Sequence, residues 1–299
     1  MSKLNGEALV NGAVCLHVIF HRPYLLRVGS LAKVETTADK KMLRLNKMLF
    51  DSDEYRKMES LAGEFRRWIQ TRAVDDRQSI LAKGVDLVPI GVLDEVLSKL
   101  AEYEAAYMEA AEAFVARYPE LVELAKGRLG DQFDGANYPS AGRMRAGCYV
   151  TRRVSDFGLP SVEKIGESVW LQEQKKAKEL WDTAAAEIRY ALREAFVELI
   201  RHLAEKLEPT GDRKRVLKDS AVRHVTEFLD LFEKRNLTDD TELAKLVEKA
   251  RKVLEGKSPG DLRDSDSTRS RVFAGLQKVT GVLDKLVQDA PKRRIDFDD

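Results

Sequence analysis

One uninterrupted amphipathic stretch decides the fold class: LQEQKKAKELWDTAAAEIRYALREAFVELIRHLAEKL, residues 171–207. Its apolar side chains recur every three or four residues, the spacing that places them on one face of an α-helix. At 1.5 Å per residue the predicted helix is about 55 Å long, and Pro209 and Gly211 end it. The stripe consists of Leu171, Ala177, Leu180, Trp181, Ala184, Ile188, Ala191, Leu192, Ala195, Phe196, Leu199, Leu203 and Leu207. A compact domain rarely hides so long a helix without a partner of similar length.

A second long stretch, residues 92–126, has the same apolar periodicity and supplies that partner. Pro119 is expected to kink this second helix or to start a new one, and Gly127 and Gly130 end it. Because both stretches carry an apolar stripe, we expect them to pack as a long antiparallel hairpin or bundle, with the side-chain packing of a coiled coil. The sequence therefore predicts a mainly α-helical fold.

A small β element is predicted beside the helices. Apolar and polar residues alternate over 14–21, which is the period of a half-buried strand. Pro23 limits that strand, and residues 24–28 continue as a second extended piece. Residues 131–166 exchange Ala, Glu and Lys for Gly, Pro, Tyr and Arg, and we interpret them as a loop with a β-hairpin near 143–157.

Three local patterns predict further helices. Residues 42–49 place four apolar side chains on one helical face. Asp51 with Glu54 resembles a capping box that opens the next helix, and Asp239 with Glu242 has the same spacing.

These patterns divide the chain into four segments. Residues 1–35 form an N-terminal extended or strand segment, and residues 36–207 form the helical core with the hairpin and the inserted loop. Residues 208–288 hold shorter C-terminal helices interrupted by a polar linker, KSPGDLRDSDS, at 257–267. Residues 289–299 form a charged tail.

Composition excludes several classes of protein. Lys and Arg number 51 and Asp and Glu number 50, so the chain as a whole has no strong attraction for nucleic acid or anionic lipid. Cys15 and Cys148 are too few for a disulfide framework, which favours a reducing compartment. The sequence has no signal-peptide pattern at its start and no apolar run of membrane-spanning length. We expect a cytoplasmic protein without a membrane anchor.

A search for catalytic or metal-binding patterns gives no candidate. Cys15, His17 and His21 lie on one face of the predicted strand, but zinc needs about four well-placed ligands. Gly256-Lys257-Ser258 imitates the end of a phosphate-binding loop, yet the first glycine of that motif is missing and no strand precedes it. We therefore predict no catalytic residue, no metal and no cofactor, and we favour a protein that is not an enzyme.

The segment with the strongest local charge is the predicted contact region. Arg143, Arg145, Arg152 and Arg153 occur there with no acidic residue between 139 and 153, and Tyr149 stands among them. Arginine and aromatic side chains together can bind phosphates and stacked bases. They can equally dock on the acidic faces of neighbouring helices or on a protein partner. The sequence leaves both alternatives open, and it leaves open whether the long apolar stripe is covered by a second copy of the chain.

Several stretches between residues 40 and 160 resemble one family. They read KKMLRLNKMLFDSDEYRKMESLAGEFRRWIQTRA, KGVDLVPIGVLDEV, FVARYPELVELAK, LGDQFDGANYPS and VSDFGLP. The family is a domain of unknown function found in phages and integrative elements. Its members are commonly encoded near a MoxR/CobS-like AAA+ ATPase and a CobT-like protein with a von Willebrand A domain.

The resemblance implies a role beside a remodelling ATPase, as an adaptor, scaffold or substrate-delivery subunit. It covers less than half of the chain and implies no catalytic residue. From it we predict a non-enzymatic helical interaction protein of phage or mobile-element origin, with the ATPase and the von Willebrand A-domain protein as partners. The alternatives are a nucleic-acid-binding accessory protein that uses the Arg/Tyr segment and an enzyme whose site is assembled from dispersed carboxylates.

Overall fold

The computed structural model describes residues 6–30, 34–73, 84–156, 158, 164, 166–209 and 216–288. Within them the fold is mainly α-helical with a small β element, which confirms the predicted fold class. In chain order the elements are α1 (Gly6–Gly12), β1 (Ala13–His21), β2 (Leu26–Val28), β3 (Asn46–Met48), α2 (Asp53–Gln70), β4 (Val85–Pro89), α3 (Ile90–Leu129), α4 (Ala141–Ala146), β5 (Tyr149–Ser155), α5 (Glu167–Leu207), α6 (Asp219–Arg235), α7 (Thr241–Leu254), α8 (Pro259–Asp264) and α9 (Asp266–Gln288).

The chain divides into two compact units. Unit 1 comprises residues 1–15, 70–93 and 155–299, and unit 2 comprises residues 16–69 and 94–154. These boundaries differ from the four predicted segments, because the predicted helical core at 36–207 is divided between both units. The predicted charged tail at 289–299 lies outside the described residues.

Unit 1 is a bundle built on α5. Its core combines the second half of α5 with α6, α7, α8 and α9, and includes a stacked ring pair of Phe196 and Phe228 with centroids 4.9 Å apart. The first half of α5 is covered in part by α1, through a smaller cluster that contains Leu9 and Ala184. The elements that pack on α5 within this unit are α1, α6 and α9, so most of the second half of the predicted stripe is buried, whereas Leu171 and Leu180 near its start are exposed. The partner that the sequence analysis expected, α3, belongs mostly to unit 2.

Two helix starts in unit 1 correct the prediction. The N-cap of α7 is Asp240, whose side chain accepts from the Leu243 N–H, and not Asp239 one residue earlier. The predicted linker at 257–267 instead contains α8. Ser258 caps α8 and exchanges hydrogen bonds with Asp261 in a capping box, so short polar residues nucleate a helix there.

Unit 2 packs α2 and most of α3 around an aromatic core. Phe50, Tyr55 and Phe114 are buried there with ring centroids 5.1–5.6 Å apart. The helix α3 runs without a break through Pro119, which the sequence predicted to kink or restart it. Pro119 is exposed, so water can satisfy the carbonyl group that loses its intrahelical hydrogen bond. At the start of α2 the cap is Ser52, which accepts from the Tyr55 N–H at 3.2 Å, and not Asp51.

The β structure also departs in part from the prediction. The first strand, β1, lies where the alternation predicted it. The predicted hairpin near 143–157 is wrong, because α4 and the single strand β5 occupy that segment. The strand order is β4-β1-β5, so β5 is an edge strand. The helix predicted over 42–49 is also wrong, because β3 forms there and pairs antiparallel with β2.

Candidate partner-binding surface

The predicted arginine segment is not one patch. Arg143 and Arg145 lie on α4, while Arg152 and Arg153 are neighbours on β5 and therefore point to opposite faces of the strand. Arg145 pairs with Glu112 of α3, an acidic partner that is distant in sequence. Tyr149 lies on the same face of β5 as Arg153.

Three of these arginines remain available to a partner. The side chains of Arg143, Arg152 and Arg153 are exposed, and they have no ion-pair or hydrogen-bond partner among the residues that the structure describes. The Tyr149 ring stacks on the His21 ring at 4.1 Å, and the His21 Nε2 lies 3.0 Å from the Thr151 hydroxyl. This contact fixes one face of the Tyr149 ring against β1. The segment thus offers dispersed positive charge and no enclosed site.

An exposed apolar surface lies on the ribbon formed by β2 and β3. Leu26 pairs with Met48 and Val28 with Asn46, so Leu26, Val28 and Met48 lie on the same side of the ribbon. These three side chains, here named the ribbon face, are 54%, 80% and 49% exposed. Tyr24, just before β2, is 78% exposed.

The polar side of the ribbon is the one held against unit 2. The Lys47 ammonium donates to the Gln132 carbonyl oxygen at 2.6 Å, and the Gln132 side-chain amide exchanges two hydrogen bonds of 3.0 Å with the backbone of Ser30. Lys47 is the least exposed residue of β3. On this side Lys47 turns towards the rest of unit 2, while its ribbon partner Arg27 is exposed. On the other side Leu26, Val28 and Met48 leave large apolar surface in solvent.

The apolar surface continues from Met48 into a cavity of about 420 Å³. Leu121, Leu124 and Leu129 of α3 line it, and Leu124 is exposed. Ion-paired arginines surround the apolar lining. One of them, Arg117, donates to Glu54 at 2.7 Å.

These ion pairs lower the pKa of the carboxyl groups around the cavity. Hydrogen bonds from Arg117 and Ser52 lower the pKa of Glu54 to about 2. A hydrogen bond from Arg56, together with the charge of that arginine, lowers the pKa of Asp51. The charges around the cavity are therefore neutralised within unit 2, and the apolar surface is what remains for a partner.

The connection between β2 and β3 carries charge of both signs, with Glu35 and Asp39 exposed as well as three basic residues. Lys40, Lys41 and Arg44 are exposed, and their side chains have no partner in the described part of the chain. A partner that fits this surface therefore combines apolar anchors with nearby carboxylates.

Redox and metal chemistry find no support in the described residues. They contain no group of three or more His, Cys, Asp or Glu side chains placed to hold a metal ion. Both cysteines are free and buried, and burial raises the pKa of Cys148 to about 11 and that of Cys15 above its usual value. A buried thiol with a raised pKa is a poor nucleophile. No helix among the described residues is both long enough and apolar enough to cross a lipid bilayer.

Comparisons with protein-family profiles, with curated proteins and with solved structures gave no significant match.

Sequence reasoning missed the ribbon face. A signal was present: residues 24–28 were expected to be extended, and Leu26 and Val28 alternate with Arg27. Alternation identifies a strand with two different faces, but it does not say which face turns towards the core.

Proposed function

We propose that this protein is a non-enzymatic interaction protein, and that it docks a partner protein through the ribbon face of unit 2. The observation that carries the proposal is the exposure of the apolar ribbon face. Exposing Leu26, Val28 and Met48 costs hydrophobic free energy, about 1.5–3 kcal/mol for each large side chain left out of a core. Exposed apolar clusters with a polar surround are typical of binding surfaces.

The proposed partners are the AAA+ ATPase and the von Willebrand A-domain protein that the family resemblance implies. The support for these partners is the sequence resemblance. The same resemblance supports a phage or mobile element as the proposed source of the chain. The support from chemistry is general: an apolar face beside Lys40, Lys41 and Arg44 suits a partner surface with apolar and acidic side chains.

A binding experiment with purified proteins tests the proposal. The full-length chain is mixed at micromolar concentration with the ATPase and the von Willebrand A-domain protein from the same locus, with and without ATP. Binding to at least one of them is expected. The variant Leu26→Glu/Val28→Glu should bind at least tenfold more weakly, a loss of about 1.4 kcal/mol or more.

The matched control places the same charges on unit 1. Val216 and Val282 are also exposed apolar residues, and the variant Val216→Glu/Val282→Glu should bind as the wild type does. Clean separation of the wild-type proteins under all conditions would refute the proposal. So would equal affinity of the ribbon-face variant and the wild type.

A second candidate function is nucleic-acid binding by the Arg/Tyr segment. The observation that favours it is the absence of an acidic partner for Arg143, Arg152 and Arg153 within the described residues. This candidate predicts binding of single-stranded DNA or RNA that weakens with rising salt concentration. Replacing Arg152 and Arg153 by alanine should lower both the affinity and the salt dependence. Retained affinity in that variant would remove this candidate.

A further inference from the structure

Unit 1 has a second open surface, a groove of about 690 Å³ between α5 and α6. On α5 the floor follows Ile188, Ala191, Ala195 and Leu199, which are spaced by three or four residues. On α6 it is completed by apolar side chains that include Leu231. Because the lining keeps the helical spacing, the groove runs along the helices and does not form a round pocket.

Its dimensions fit one row of side chains. The lining of α5 extends from Ile188 to Glu205, which corresponds to about 26 Å, or roughly five helical turns. An open groove of this length between two helices can take one apolar ridge of a helix that lies on the surface.

The cations of the groove are already engaged within unit 1. The Arg201 guanidinium donates to Asp284 at 2.9 Å. The Arg235 guanidinium donates to the Ala73 carbonyl oxygen at 3.3 Å and lies over the Phe228 ring.

Two acids of the groove are not engaged in this way. The carboxylates of Glu198 on α5 and Glu227 on α6 line the groove, and neither has an ion-pair or hydrogen-bond partner in the part of the chain that the structure describes. Two carboxylates beside an apolar floor are therefore available to a ligand.

We propose that this groove binds a basic amphipathic α-helix of a partner protein. The apolar row of that helix, at positions i, i+4 and i+7, packs on Ala191, Ala195 and Leu199. Lysine or arginine side chains on both sides of the row pair with Glu198 and Glu227. The small alanine side chains are what leave room for the ridge of the incoming helix. This surface is separate from the ribbon face, and the proposal does not depend on the function proposed above.

Designed peptides test the proposal directly. The probe is a fluorescein-labelled helical peptide of about 18 residues, the length that spans the groove, with leucine along one stripe and lysine elsewhere. A second peptide has glutamate in place of lysine, and a third has the composition of the first in an order without a stripe. Fluorescence anisotropy against the full-length protein should show saturable binding of the basic striped peptide, and at least tenfold weaker binding of the other two.

Variants of the groove localise the binding. The charge reversal Glu198→Lys/Glu227→Lys should weaken binding of the basic peptide at least tenfold and strengthen binding of the acidic one. Ala195→Trp should block the floor and weaken both. The matched control is Asp230→Lys/Glu255→Lys, which makes the same charge change at exposed positions outside the groove and should leave affinity unchanged.

Each outcome is informative once circular dichroism has shown that the variants fold. Equal binding of the basic and acidic peptides would overturn the proposal, and so would basic-peptide binding that survives the charge reversal at Glu198 and Glu227. The ribbon-face variant Leu26→Glu/Val28→Glu should bind the peptide as the wild type does. A failure of the groove proposal is therefore distinguishable from a failure of the proposed function.

Discussion

A buried ion pair between α5 and the start of α7 gives the sharpest prediction about stability. The Arg193 Nε and Nη2 atoms donate to the two carboxylate oxygens of Asp240 at 2.6 and 2.9 Å. The exposed fractions of these side chains are 12% and 2%. The same carboxylate accepts from the Leu243 N–H at 3.1 Å and so caps α7. Arg193 also donates to Glu242 and to the Leu286 carbonyl oxygen, which joins α5 to the end of α9.

The magnitude follows from the two roles of Asp240. Removing one partner of a buried ion pair costs about 3–5 kcal/mol, because the other charge stays buried without compensation. Loss of the cap adds about 1 kcal/mol. Asp240→Ala should therefore destabilise unit 1 by about 4–6 kcal/mol, with the lower end expected because Arg193 keeps its contact with Glu242. Asp240→Asn keeps the cap and an oxygen acceptor, so about 2 kcal/mol is expected.

The double variant measures the interaction between Arg193 and Asp240 apart from their separate contributions to stability. Arg193→Met alone should cost about 3 kcal/mol, because Asp240 stays buried without its cation. Arg193→Met/Asp240→Ala should cost about 2–3 kcal/mol less than the sum of the single changes, since it leaves no unpaired charge.

Urea unfolding measures these differences. Trp170 and Trp181 both lie on α5, so their fluorescence reports on unit 1 once Trp68 of α2 is replaced by phenylalanine. The urea dependence of the free energy should be the same in all variants, so that midpoints can be compared. Additive effects, within about 0.5 kcal/mol, would refute the view that Arg193 and Asp240 act as a pair.

The same pair makes the stability of unit 1 depend on pH. Burial alone would raise the pKa of Asp240, but the hydrogen bonds from Arg193 and the Leu243 N–H, with the charge of Arg193, outweigh burial and hold the pKa below its ordinary value. The unfolded chain therefore binds a proton at Asp240 more readily than the folded chain does. The stabilisation by the ion pair is complete above the unfolded pKa of about 3.9, and it is lost as pH falls through the lower folded pKa. Asp240→Asn should show a shallower loss of stability below about pH 4.

Two further predictions concern a glycine pair and a surface carboxyl. In α9, a Cβ at Gly275 would lie 2.8 Å from Val253 Cγ2, whereas one at Gly281 would meet nothing within 4 Å. Gly275→Ala should lower the free energy of unfolding by about 1–2 kcal/mol, because the new methyl group overlaps Val253. Gly281→Ala should raise it by about 0.5–1 kcal/mol, because alanine favours the helix and meets no neighbour. Equal shifts of the urea midpoint in the two variants would contradict the geometry. In unit 2, Arg117 helps to hold the pKa of Glu54 at about 2. The stabilisation of unit 2 by ionised Glu54 is therefore complete above the unfolded pKa of this residue, and it is lost as pH falls through about 2. Glu54→Gln should therefore flatten the fall in melting temperature between pH 5 and pH 2, as followed by circular dichroism, and an unchanged slope would show that the pair contributes nothing.

The helices were predictable because their periodicity is long and continuous. The apolar stripe of α5 over 171–207 and that of α3 each suffice to identify a helix without knowledge of its neighbours. The neighbours were not predictable in the same way. An apolar stripe indicates that one face of a helix must be covered. Because α1, α6, α7 and α9 all have apolar faces, the sequence does not show which of them α5 will contact.

The predictions for short segments were wrong for a different reason. Residues 42–49 have helical spacing by chance over two turns, and β3 forms instead because its backbone pairs with β2. Local propensity over so few residues is weaker than one pairing made in the folded chain. Likewise, Ser258 and Asp261 suggested a polar linker by composition, although the same two residues form the capping box that starts α8.

The candidate surfaces lie where local rules and the folded structure disagree. A folded chain usually turns apolar faces inward and pairs its charges, so exceptions cost stability and point to interactions beyond the chain. The ribbon face breaks the first rule with Leu26, Val28 and Met48, and the groove breaks the second with Glu198 and Glu227. The two exceptions have different chemistry: the apolar ribbon has basic neighbours, and the apolar groove has acidic ones. The two proposed surfaces lie on separate units and differ in chemistry, so the two proposals predict two different kinds of partner.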